Sequence, residues 1–150
     1  NVGSLIGLAL NDNPIDWSQT DFAEFLSRQV PTLENLNLKR TGLERLTVRH
    51  IPDANNLAAI NLELNNLTSI DSELLRNGLE NVTVLELGGN VVWNCANKTE
   101  MCQLQNFLQS RNVSDGGTCI DTGVLAGENL VAVDLGCVQD LIIPTGNDID

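Results

Sequence analysis

Four times along its 150 residues the chain repeats one spacing of aliphatic positions, L-x-x-L-x-L-x-x-N-x-L. The copies begin at Leu5, Leu33, Leu57 and Val82, so successive copies lie 28, 24 and 25 residues apart. The first runs through Leu8, Leu10 and Asn13 to Ile15, and the second through Leu36, Leu38 and Thr41 to Leu43. The third runs through Ile60, Leu62 and Asn65 to Leu67, and the fourth through Leu85, Leu87 and Asn90 to Val92. Such repetition constrains the fold more than any composition does. A unit of about 25 residues cannot bury its apolar face alone and must pack on its own copies.

The pattern has a physical reading. Its x-L-x-L-x centre alternates with period two, which predicts a short strand with one buried face. The Asn that follows sits where the chain turns away, and its amide can satisfy backbone groups that would otherwise be buried unpaired. Thr41 can do only part of that work, so the second turn is expected to be the least rigid. The strands should form a parallel sheet on the inside of an arc, with the return segments outside. In the longest return, Phe22, Phe25, Leu26 and Val30 make a helical stripe, with Asp21 and Glu24 as a capped start and Pro31 after its end. A shorter helical turn is expected over 71–76, halted by Asn77-Gly78, and no more than a turn over 54–56.

Composition supports this reading. The apolar content of 42% belongs to a globular chain, yet only 3% is aromatic, which suits similar aliphatic repeats packed on one another. A net charge of −12 repels nucleic acid and anionic lipid. The four cysteines all lie beyond residue 94 with no CxxC pair, which speaks against zinc and for two disulfides. The sequence alone leaves all three pairings open. Four sequons, at Asn66, Asn81, Asn97 and Asn112, point with the cysteines to an extracellular protein, secreted or part of an ectodomain. The sequence holds no apolar run long enough to span a bilayer and no signal peptide, and direct membrane contact is not expected.

Taken together, the repeats resemble those of leucine-rich repeat proteins, from Leu5 to Cys137. That resemblance implies an α/β fold: a right-handed solenoid with a short parallel sheet on its concave side. Residues 1–90 would hold the four repeats. Residues 91–138 resemble the cysteine-rich C-terminal flanking module of extracellular members. Trp93 precedes the first cysteine, a helix over 101–110 follows the second, and Leu125-x-Gly127-x-x-Leu130 lies between the last two. In that module the pairing would be Cys95–Cys119 and Cys102–Cys137. Two departures stand out: six residues separate Cys95 from Cys102 where the family usually has one, and Asn90-Val-Val-Trp93 replaces Asn-Pro-Trp. The segment 96–101 is therefore expected to be a solvent-facing insertion. Residues 139–150 are expected to be a disordered tail or linker.

The first repeat has no cysteine cap, so Leu5, Leu8 and Leu10 should face water on one edge. Either further repeats precede them or another chain covers them, and the former is expected. Catalysis is not expected: His50 is the single histidine, read as a surface residue near Pro52, with no nucleophile to serve. No cofactor or metal is expected. Function is placed on the concave face, where Asn37, Lys39, Arg40, Asn61, Glu63 and Glu86 would meet a protein ligand or co-receptor. Lys39, Arg40, Arg45 and Arg49 hold half of the eight basic residues and form a candidate patch for an acidic partner. The resemblance implies a cell-surface receptor, adhesion molecule or secreted recognition factor, including those of innate immunity. The alternative is an assembly module that dimerises through its N-terminal edge.

Overall fold

The computed structural model describes residues 5–120 and 125–137. The expected tail, 139–150, lies outside them. Each repeat contributes one strand: β1 (Gly7–Ala9), β2 (Asn35–Asn37), β4 (Ala59–Asn61) and β6 (Val84–Glu86). They form one parallel sheet in the order β1-β2-β4-β6, and Leu8, Leu36, Ile60 and Leu85 are direct neighbours in register. The ladder continues past the strands. The N–H groups of Leu10, Leu38 and Leu62 donate to the carbonyls of Asn37, Asn61 and Glu86 at 2.8–2.9 Å. A second, two-stranded parallel sheet pairs β3 (Arg45–Leu46) with β5 (Ser69–Ile70). The fold is thus mixed α/β with parallel strands, and one aliphatic cluster runs unbroken from Leu26 to Leu135.

The conserved spacing places an asparagine ladder inside this cluster. Asn65 donates to the carbonyls of Leu38 (3.0 Å) and Leu62 (2.9 Å). Its Oδ1 accepts the N–H groups of Thr41 (2.9 Å) and Leu43 (3.0 Å). Asn90 likewise donates to Leu62 and Leu87 and accepts the N–H of Leu67. Each of these amides therefore serves its own repeat and the one before it. This corrects the expectation for Thr41, whose turn is tied rather than loosened. Thr41 is fully buried, its hydroxyl donates to the Leu38 carbonyl at 2.9 Å, and Asn65 reaches back to hold its backbone. Asn13, in the first repeat, bonds among the described residues only to the nearby Leu10 and Asn11 carbonyls.

The return segments depart from expectation in detail. Helix α1 (Thr20–Gln29) forms, but no side chain caps it: Gln19 stands at the N-cap without a capping bond. Asp16 is instead occupied one turn earlier, accepting from Ser18 and Gln19, which holds its carboxyl below the usual range. The turn after Asp71 is wider than an α-turn, spanning Leu74–Gly78, with the Leu79 N–H closing on the Leu74 carbonyl at 2.9 Å.

Past Asn90 the chain covers the last repeat. Val82, Leu85 and Leu87 are buried together with Trp93, which is 0% exposed and donates from Nε1 to the Gly116 carbonyl at 2.8 Å. Helix α2 (Lys98–Ser110) buries Met101, Leu104, Phe107 and Leu108. It starts three residues earlier than expected, so 96–101 is not a solvent-facing loop throughout: Ala96 to Thr99 are exposed but Met101 is buried. Two disulfides, Cys95–Cys119 and Cys102–Cys137, join this region across 24 and 35 residues. Gly117 has φ +85°, and a Cβ there would collide with the Asn90 carbonyl, so the close approach of this loop to the last ladder amide requires glycine.

Candidate protein-binding face

Strand alternation turns one side chain in two away from the core. On the main sheet this leaves two outward rows in register. Gly7, Asn35, Ala59 and Val84 form one; Ala9, Asn37, Asn61 and Glu86 form the other. Their side chains line a shallow groove of about 400 Å³, in which Val84 is 50% exposed. The amides in it are oriented by the backbone. Asn37 Oδ1 accepts the Lys39 N–H at 3.0 Å, and Asn61 Oδ1 accepts the Glu63 N–H at 2.9 Å. Both side chains thus keep their acceptor for their own chain and leave an NH₂ group for whatever lies on the sheet.

The charged residues at the strand ends are spent partly on one another. Lys39 Nζ stands 3.9 Å from Glu63, and Arg40 reaches Asp12 at 3.3 Å. Arg40 itself lies past the strand in a left-handed turn, φ +54°. Arg45 pairs with Asp71 at 3.3 Å and leaves the group altogether. The expectation of a single basic patch is therefore corrected. Three of its four members face carboxylates from neighbouring repeats: Lys39 with Glu63 and Arg40 with Asp12 stand at equivalent positions of stacked repeats, and Arg45 reaches Asp71 two residues beyond its register partner Ser69. Glu86 has no cationic partner among the described residues. Next to it, a cleft of about 320 Å³ separates β6 from the loop after α2, lined by Glu63, Val84, Glu86, Asn112 and Asp115. Asp115 was not singled out from the sequence, and Asn112 only as a sequon; folding brings both to this face from more than 25 residues away.

A larger cleft, about 800 Å³, lies where the first repeat swings away into α1, and Trp17, His50, Arg45 and Arg49 help to line it. Here the expectation for His50 fails. It is only 8% exposed and packs edge-to-face with Trp17, centroids 5.2 Å apart, while Nδ1 accepts the Thr47 N–H at 3.2 Å. Burial lowers its pKa, Arg49 lowers it further, and Asp71 acts against them. Trp17 arrives from 33 residues upstream, a contact no local reading of His50 contains. Among the described residues, no three His, Cys, Asp or Glu side chains are grouped as a metal site. No described helix is long and apolar enough to cross a membrane.

These features define a protein with the fold of the leucine-rich repeat class, with strand-bearing repeats packed in register and two disulfides that fit a cysteine-rich cap. Among solved structures it is similar to human 5T4 (Wnt-activated inhibitory factor 1, trophoblast glycoprotein), a leucine-rich repeat protein. The TM-score is 0.66 at 20% identity, over 89% of this chain and 46% of that one. That likeness shows the fold. No protein-family model matches the chain, and no curated protein matches it.

Proposed function

We propose that this chain is part of an extracellular leucine-rich repeat ectodomain, a right-handed solenoid that binds a protein partner on its concave face without catalysing a reaction. The binding residues are Asn37, Lys39, Arg40, Asn61, Glu63 and Glu86. One observation carries the reading. The Asn37 and Asn61 amide oxygens are held by their own backbone, in register, beside an exposed Val84 and a Glu86 that has no cationic partner among the described residues. An ordered polar face with an apolar contact costs little conformational entropy to bind. The two disulfides fit an oxidising, extracellular compartment. The protein would serve as a receptor, an adhesion molecule or a secreted recognition factor.

The test is a screen of the tagged protein against an array of extracellular domains. A specific hit should disappear with Asn61→Arg/Glu86→Arg and persist with Glu24→Arg on the α1 side, with unchanged circular dichroism in both. A hit indifferent to the double change would place binding elsewhere.

The second reading is self-association through β1. Its outer edge has no strand beside it among the described residues, Leu5, Leu8 and Leu10 are only half-buried, and Ile6 is 52% exposed. Sedimentation decides it: a concentration-dependent dimer lost on Leu8→Glu would favour assembly, and a monomer at all concentrations would exclude it.

A further inference from the structure

The cleft of about 800 Å³ that residues 15–18 form with residues 42–50 shares no lining residue with the sheet groove. Its size is that of a small-molecule site. One wall is apolar and already fixed. Trp17 Nε1 donates to the Thr41 carbonyl at 2.9 Å, and its ring meets Phe22 edge-to-face with centroids 5.0 Å apart. Ile15 and Val48 extend that wall, and Val48 is exposed. The polar side of the cleft is His50, which is more than nine-tenths buried. Its Nδ1 accepts the Thr47 N–H, so the neutral ring carries its proton on Nε2. Among the described residues that N–H has no hydrogen-bond partner. It is not enclosed either: the fully buried side-chain atoms left without a partner are Gln29 Oε1 and Ser69 Oγ, so Nε2 opens on the cleft. A donor held there without an acceptor costs free energy that a ligand can recover.

The charges around the cleft favour an anion at this donor. Asp16, Glu44, Arg45, Arg49 and Asp71 line it. Asp16 is occupied by Ser18 and Gln19, and Asp71 takes Arg45 at 3.3 Å. Arg49 has no carboxylate partner among the described residues. Of the charges that act on the imidazole, Arg49 outweighs Asp71, and Glu44 is not among them. The field at the ring is therefore positive although carboxylates stand farther out. We propose that this cleft is a binding site, separate from the sheet, for a small organic carboxylate with an aromatic or aliphatic body. The carboxylate accepts the His50 Nε2–H beside the Arg49 guanidinium, and the body packs on Trp17 and Val48. A phosphate would bring more charge towards Asp71 and Glu44 and leave the apolar wall bare. The site stands whether or not the sheet binds a protein.

The test uses phenylacetate as the probe and NMR of the whole nitrogen-15-labelled chain. Its two tryptophans give two indole signals and its single histidine one ring. Millimolar phenylacetate should shift the Trp17 indole signal saturably and leave that of the buried Trp93 in place. A bound anion favours the imidazolium, so the His50 titration midpoint should rise and affinity should grow as pH falls through it. Phenylacetamide has the same shape without the charge and should bind about tenfold more weakly, the worth of a charge-assisted hydrogen bond. Arg49→Gln changes an exposed side chain and should weaken phenylacetate severalfold. His50→Phe keeps a ring against Trp17 but removes the donor, and should abolish the pH dependence of binding. Asn61→Arg/Glu86→Arg should leave phenylacetate binding unchanged, which separates this site from the sheet. A Trp17 signal that does not move would overturn the proposal. So would equal binding of phenylacetamide, or a His50 midpoint indifferent to phenylacetate.

Discussion

The two ends of the main sheet are written in nearly the same sequence and have different fates. At β6, Val82, Leu85 and Leu87 are buried, because Trp93 and α2 lie over them and two disulfides hold that cover in place. At β1, the equivalent Leu5, Leu8 and Leu10 are only half-buried, and among the described residues no strand pairs with the other edge of β1. The ladder amides differ in the same way. Asn90 spans two repeats and is fully buried, whereas Asn13 is exposed and among the described residues satisfies only its own turn. A repeat motif therefore specifies a surface to be covered, and the neighbour decides what the coverage is worth.

The sharpest way to break this comparison is at Trp93. Trp93→Ala should lower unfolding free energy by about 3–5 kcal/mol and orphan the Gly116 carbonyl, read as a fall in urea midpoint. A loss below 1 kcal/mol would mean that the cover does not hold the last repeat. Removing the Cys102–Cys137 link by paired serine substitution should cost about 2–5 kcal/mol, with the loss confined to amides of α2 and β6 in hydrogen exchange. Equal loosening of β1 would show the two ends to be one cooperative unit.

The amides give a matched pair. Asn90→Ala leaves two carbonyls and the Leu67 N–H short of a partner in a buried site, so a loss of about 2–4 kcal/mol is expected. Asn13→Ala, in an exposed turn, should cost less than about 1 kcal/mol. Similar losses at both would refute the claim that the span between repeats matters. The smallest effect concerns pH. Burial depresses the His50 pKa in the folded state, so the unfolded chain binds the extra proton first as pH falls. Stability conferred by neutral His50 is present above about pH 6.5 and declines as pH falls towards the folded pKa. His50→Phe should flatten that part of the stability curve while keeping the contact with Trp17. An unchanged slope would mean that His50 does not titrate differently on folding.

How much of this was legible in the chain depends on how far apart the contributing residues lie. The strands, their register and the inward Leu8, Leu36, Ile60 and Leu85 follow from a motif read within one repeat. The helical stripe over 22–30 was legible for the same reason. The cap at its start was misread, because Asp16, earlier in the chain, takes Ser18 and Gln19, and Asp21 makes no capping bond. The basic residues counted as a patch were misread because their partners, Asp12, Glu63 and Asp71, come from other repeats. On the candidate face, Asn37 and Asn61 could be placed by alternation. Their locked amides, and the arrival of Asn112 and Asp115, could not.

The sequence by itself determined the unit, because period-two alternation and a turn amide act over a few bonds and need no distant partner. Only the tertiary structure decided which copies are sealed, which charges are neutralised and that His50 is buried under Trp17. Those outcomes depend on residues 20 to 35 positions apart meeting in space, and a burial or an ion pair exists only once both sides of the contact are in place.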